Sequence, residues 1–190
     1  MEWIALRAWR RQLVADLYGR VLEIGVGTGR NLAFYPREVK LTAVDVAPRM
    51  LRIARRRARR LGRQVTFVEA DARALPFRTA SFDAVVTTCV FCSVSDPHGS
   101  IAEIRRVLRP GGRLRMLEHQ RPDNPGLARV FDRLNALVVR LSGANINRET
   151  QRTIEAAGFD SVHALRHDRF GVVRSFDVRD EGPCRAPTVG

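Results

Sequence analysis

Short apolar runs of strand length recur through the first two thirds of the chain, separated by stretches at helical spacing. Arg20–Ile24, Leu41–Val46, Val65–Glu69, Phe82–Thr88 and Arg113–Glu118 are the runs; helical stretches fall near Asn31–Phe34, Pro48–Leu61 and Pro97–Leu108. Apolar strands that alternate with helices imply βαβ units and a parallel sheet covered on both faces. Pro110-Gly111-Gly112 stops one helix and turns the chain into the fifth strand. Beyond it, helices over Leu127–Leu141 and Arg148–Ala157 precede a predicted hairpin of Ser161–His167 and Gly171–Val178. A chain of 190 residues fits one such domain. The expected layout is an N-terminal helix over 1–18, one domain over 19–179 and a loose tail over 180–190.

Where the first strand meets the next stretch stands Glu23-Ile24-Gly25-Val26-Gly27-Thr28-Gly29. Glycines there permit a tight turn and close approach of backbone to a ligand. A dinucleotide fingerprint wants a third glycine where this chain has Arg30. Glu23, two residues before Gly25, would sit poorly beside a pyrophosphate, so the loop suits a ligand with a positive end. Asp45 ends the second strand, where a carboxylate accepts ribose hydroxyls. Asp71 follows the third strand and is placed to accept from an adenine amine. These acids fall at the carboxyl ends of adjacent parallel strands, where open α/β sheets bind ligands. In a chain of net charge +13, that grouping points to a cationic adenosine ligand.

The sequence resembles class I S-adenosylmethionine-dependent methyltransferases. VLEIGVGTG is similar to the family's first motif, VDVAPRML to its ribose-binding segment and ADARALPF to its adenine segment. FDAVVTTCVFCSV and EIRRVLRPGGRLRMLEH are similar to the fourth- and fifth-strand motifs. The resemblance implies an α/β, Rossmann-like, doubly wound seven-stranded sheet, mostly parallel with the last strand antiparallel, and a lid-like N-terminal helix. It implies that Glu23, Gly25 and Gly27 face the methionine part of S-adenosylmethionine and that Asp45 with Val46 faces the ribose. Asp71 with Ala72 would face the adenine, and Thr88 and Cys89 the methyl-donor side.

Methyl transfer asks little of the protein beyond alignment, unless the acceptor carries a proton. His119, at the end of the fifth strand, is the candidate base; a strand-end histidine that only bonds its neighbours is the alternative. Tyr18, Glu118 and Asn145 are the candidate substrate-side residues. The expected acceptor is a lipophilic or amphipathic small molecule, since the motifs are similar to quinone, phospholipid and thiol methyltransferases. Cys89 and Cys92 read as small buried hydrophobes, and no metal site is expected. Similarity to an arsenite methyltransferase, with Cys184 as the third cysteine, is a minor alternative.

Arginine supplies 32 of the 33 basic residues. Eight arginines crowd Arg49–Arg63, where Met50, Ile53, Ala54, Ala58 and Leu61 share a face that Arg57 interrupts. The other arginines read as a solvated face, with an RNA methyltransferase as the alternative. A module that binds the cofactor without turnover is a further alternative. Trp3, Leu6, Leu13, Val14 and Leu17 form one face of the N-terminal helix. That face suits packing on the sheet, and its basic flanks suit contact with an anionic membrane. No secretory pattern is read at the N-terminus, and the expected compartment is the cytoplasm.

Overall fold

The computed structural model describes residues 2–119, 121–122, 124–142, 145, 147–159, 161–167 and 172–179. Helix α1 (Glu2–Val14) leads into β1 (Arg20–Ile24), β2 (Lys40–Asp45), α2 (Pro48–Arg60), β3 (Val65–Glu69) and β4 (Phe82–Thr88). The chain continues through α3 (Pro97–Val107), β5 (Leu108–His119), α4 (Pro125–Ser142), α5 (Thr150–Ala156), β6 (Ser161–His167) and β7 (Val173–Arg179). The strands form one seven-stranded sheet in the order β3-β2-β1-β4-β5-β7-β6. Neighbours from β3 to β5 are parallel, and β7 runs antiparallel to both β5 and β6. The mostly parallel sheet and its C-terminal hairpin agree with the expectation from sequence. The tail over 180–190, Cys184 included, lies outside the described residues.

Period-2 alternation assigns each strand side chain to one of two layers. Leu22, Ile24, Val85, Leu114, Met116 and Phe176 pack beneath Ile101, Ile104 and Val107 of α3 and Ile154 of α5. On the opposite face, Val21, Ala43, Ala84, Val86 and Leu117 pack against Leu13, Val14, Leu17, Leu51, Ala54 and Ala58. Leu13 and Val14 of α1, with Leu17 just beyond it, are therefore buried against the sheet, whereas the Trp3 side chain lies outside the described ones. Among the described residues, no helix is long and apolar enough to cross a membrane.

Two expectations are corrected. Residues 31–34 form consecutive turns and not a helix. Three-residue bonds (Leu32 N to Gly29 O, Phe34 N to Asn31 O) replace a helical ladder, and the Asn31 side chain is drawn inward. Helix α2 is also rotated from the expected face: Leu51, Ala54 and Ala58 are buried, while Met50 and Ile53 are about two-fifths exposed. The alanines let α2 approach the glycine loop closely, a Cβ on Gly29 lying only 3.3 Å from the Ala54 Cα. That approach turns Met50 outward.

One ion-pair cluster joins the first helix to the last strand. Arg115 on β5 is 4% exposed. Its Nε donates to Asp177 Oδ1 at 2.8 Å and its Nη2 to Asp16 Oδ2 at 2.8 Å. Arg113 adds a 2.8 Å bond to Asp177 Oδ2. Burial acts to raise the Asp177 pKa, but the two guanidiniums outweigh it and hold the carboxyl below its ordinary value. Removing one partner of a buried pair costs roughly 3–5 kcal/mol, whereas apolar replacement of both is often near neutral. Asp177→Ala is expected to lose about that much in urea unfolding, with Arg115→Met in the same chain recovering most of it. A loss under about 1 kcal/mol for Asp177→Ala contradicts this reading.

Candidate active site

Strand order reverses between β1 and β4, so the loops that leave them diverge and open a crevice at the carboxyl edge. A cavity of about 590 Å³ fills that crevice. It is lined by Glu23, Gly25, Gly27, Asp45, Val46, Asp71, Ala72, Thr88 and Cys89, every cofactor-side residue expected from sequence. Gly25 holds φ +65°, and a Cβ there would run into the Val90 side chain, so glycine is required at this crossing.

Glu23 sits at the head of the cavity, 2% exposed. Its Oε1 accepts from Asn31 Nδ2 at 2.9 Å, while its buried Oε2 has no hydrogen-bond partner. The buried Tyr35 hydroxyl approaches it without reaching hydrogen-bond geometry. Burial pushes the Glu23 pKa up from 4.5 to about 7, against the opposing pull of Tyr35, Asn31 and Arg10. The carboxyl stands in the cavity wall with one oxygen buried and unpaired, a group that a cation or a strong donor would satisfy. Asp45 is prepared differently. Its Oδ2 accepts from Gly27 N at 2.8 Å and its Oδ1 from Ala47 N at 2.9 Å. A lone pair on each oxygen stays available to a pair of hydroxyls. Asp71 is half-buried and held in a fork by Arg73, whose hydrogen bonds lower its pKa. Val46 and Met50 add an apolar wall.

The far wall depends on Glu118, which is fully buried. Its carboxylate accepts from Thr87 Oγ1 at 2.8 Å, Val90 N at 3.0 Å and Phe91 N at 3.1 Å. Cys89 N donates to Leu117 O at 2.8 Å. Successive amides thus turn toward β5, and Cys89 adopts φ +55°, a conformation that costs a non-glycine residue about 1–3 kcal/mol. Desolvation raises the Glu118 pKa to about 7 and the Cys89 thiol to about 12, so the thiol stays protonated.

The remaining expected residues stand outside the cavity lining. Glu118 lies beneath the loop; His119 ends β5, half-buried and engaged by a neighbour. Tyr18 is 66% exposed beyond α1. Asn145 donates its N–H to Cys92 O at 2.6 Å and accepts from Asn135 Nδ2 at 2.7 Å. Cys89 and Cys92 are free thiols.

Sequence reasoning missed Arg10, Asn31 and Met50. Asn31 is fully buried and bridges Glu23 Oε1 and Thr88 Oγ1, at 2.9 and 3.0 Å. Arg10 lines the cavity and donates to Asn31 Oδ1 at 2.9 Å. Its signal was an arginine in the middle of the Leu6–Leu13–Leu17 stripe.

A family model described as a methyltransferase domain matches residues 22–116. Demethylmenaquinone methyltransferase of Thermus thermophilus is 41% identical over 132 residues, 65% of this chain and 59% of that protein. Thiol S-methyltransferase of Rattus norvegicus is 34% identical, covering 75% of this chain and 60% of that protein. Phosphatidylethanolamine N-methyltransferase of Cereibacter sphaeroides is 37% identical over 59% and 56%. The chain thus spans about three fifths of the length of these curated relatives. Among solved structures, an S-adenosylmethionine-dependent methyltransferase of Thermotoga maritima superposes with a TM-score of 0.68 at 26% identity, covering 94% of this chain and 93% of that one.

The two raised carboxyls fix a pH signature. The folded chain keeps the Glu23 and Glu118 protons between about pH 4.5 and 7, where the unfolded chain has lost them. Their contribution to stability is full below the unfolded pKa and is lost as pH rises through about 7, on the order of 3 kcal/mol each. The urea midpoint of the ligand-free protein is expected to fall from pH 5 to pH 8, and less steeply in Glu23→Gln. Identical slopes in the two proteins contradict the Glu23 assignment.

Proposed function

The chain belongs to the methyltransferase domain family, and from that premise we propose that it moves a methyl group from S-adenosylmethionine to a lipophilic or amphipathic small molecule. The observation that carries the donor half is the buried Glu23 carboxyl, with one oxygen unpartnered, at the head of a cavity of about 590 Å³. When bound, S-adenosylmethionine supplies an electrophilic methyl group on a sulfonium.

The chain's own residues bind and orient. Glu23 receives the ammonium of the donor, and its proton leaves as that cation arrives. Asp45, already aimed by two backbone amides, accepts the ribose hydroxyls. Val46 and Met50 pack on the adenine, and Asp71 with Ala72 bounds its polar edge. The backbone of Thr88 and Cys89 forms the wall beside the methyl group. Alignment alone can account for roughly 7–11 kcal/mol of barrier lowering. His119, at the carboxyl edge of the sheet, takes the proton when the acceptor carries one.

Support for the acceptor half comes from the relatives, whose names specify a demethylmenaquinone, a thiol and a phospholipid amine. Those acceptors differ in the methylated atom but share an apolar or amphipathic body. Purified protein, methyl-labelled donor and a cell extract split into lipid, small polar and RNA fractions test this. Label is expected in the lipid fraction or on small thiols; label in RNA alone overturns the acceptor assignment.

Asp45→Ala is expected to weaken S-adenosylmethionine at least tenfold in calorimetry, because two buried hydroxyls lose charged acceptors. Unchanged affinity would sink the donor site. His119→Asn is expected to lower turnover with donor affinity intact; full turnover from pH 6 to 9 removes the base role.

A further inference from the structure

A surface helix of a doubly wound domain ordinarily turns its apolar stripe to the sheet. Helix α4 does not. Among its described side chains, only Ala128 is buried. Leu127, Val130, Phe131, Leu134 and Val138 recur at i, i+3, i+4, i+7 and i+11, within an arc of roughly 100°. Val130 is 48% and Leu134 47% exposed, and the other three are half-buried. Ala128 and Asn135, which face the fold, project about 90° from the centre of that arc. Arg129, Arg133 and Arg140 occupy the exposed polar side, and the helix's acid, Asp132, is paired with Arg121 at 2.8 Å.

We propose that α4 is an interfacial helix that docks the protein on an anionic membrane surface, with the Leu127–Val138 stripe against the acyl boundary. The proposal rests on the lipophilic-acceptor reading and deepens it by naming where that acceptor is met. An apolar stripe backed by arginines is the composition such helices carry, and the chain's charge of +13 complements anionic headgroups. A second copy is the poorer occupant, since it would bring a second +13 field against this one. RNA offers nothing apolar to cover Val130 and Leu134. The helix is also tied to the cavity rim. Asn135 Nδ2 bonds Asn145 Oδ1 at 2.7 Å, and Asn145 N bonds Cys92 O at 2.6 Å, next to Ser93, Val94 and Ser95 of the lining. Docking through α4 thereby holds the mouth of the cavity near the bilayer.

Co-flotation of the whole chain with vesicles tests this, using equal parts phosphatidylcholine and phosphatidylglycerol against phosphatidylcholine alone. Binding is expected to the anionic vesicles, weakening with salt and at least tenfold lower in Val130→Asp/Leu134→Asp. Both positions are exposed, so S-adenosylmethionine affinity in the variant, measured by calorimetry, is expected within twofold of the parent. Absence of vesicle binding by the parent overturns the proposal, as does equal binding by the variant. So does a dimer in sedimentation velocity that the variant breaks without any vesicle binding. Vesicle binding without methyl transfer to any lipid-phase acceptor supports docking and overturns the functional reading; transfer without docking does the reverse.

Discussion

The cavity depends on a buried carboxylate that never reaches it. Glu118, at the end of β5, captures the Thr87 hydroxyl and the Val90 and Phe91 amides. With Cys89 N bound to Leu117 O, the segment leaving β4 must bend back over β5 through a left-handed Cys89. An acid fully buried in this way is costly unless its oxygens are filled, and here both accept. The strained turn is thus sustained by bonds that a straight exit from β4 would forfeit. The same turn sets Val90 against Gly25, which is why the first loop needs glycine there. From Thr88, the network runs through Asn31 to Glu23 and Arg10. Helix α1, the glycine loop, β4 and β5 are linked by side chains and not only by sheet packing.

Charge is distributed by task. The surface is arginine-rich, but the cavity gathers Glu23, Asp45 and Asp71. Where arginine enters the interior it is matched, as Arg115 is by Asp177 and Asp16. Arg10 is balanced at longer range, by Glu23 and Glu118. The same lining holds Arg10, Arg30 and Arg73, so its acids act on a cation by close pairing and not through a net field of the cavity.

Strand positions were legible because apolar runs bounded by glycine and charge have few alternatives. Arg20–Ile24, Val65–Glu69, Phe82–Thr88 and Ser161–His167 stand in the structure with the bounds the sequence suggested. The acids at strand ends were legible for the same reason, since strand ends converge in this topology. The orientation of α2 was not, because Leu51 competes with Met50 and Ile53 on apolarity alone, and close approach to the glycine loop decides between them. The turns at 31–34 were misread as a helix because Asn31 owes its place to Glu23 and Thr88, both distant in sequence. Arg10 was visible only as an anomaly in an apolar stripe, and nothing local says that its partner is Asn31. Tertiary hydrogen bonds, not propensity, govern the misread positions.

Carboxyl-carbon NMR titration of Glu23 and Glu118, with and without S-adenosylmethionine, tests the account most directly. Both carboxyls are predicted to titrate near pH 7 in the free protein. On donor binding, Glu23 should move well below that value, as a cation favours its charged form, while Glu118 should stay high beneath its loop. Glu23 titrating in the ordinary carboxyl range, or unmoved by the donor, would contradict the account.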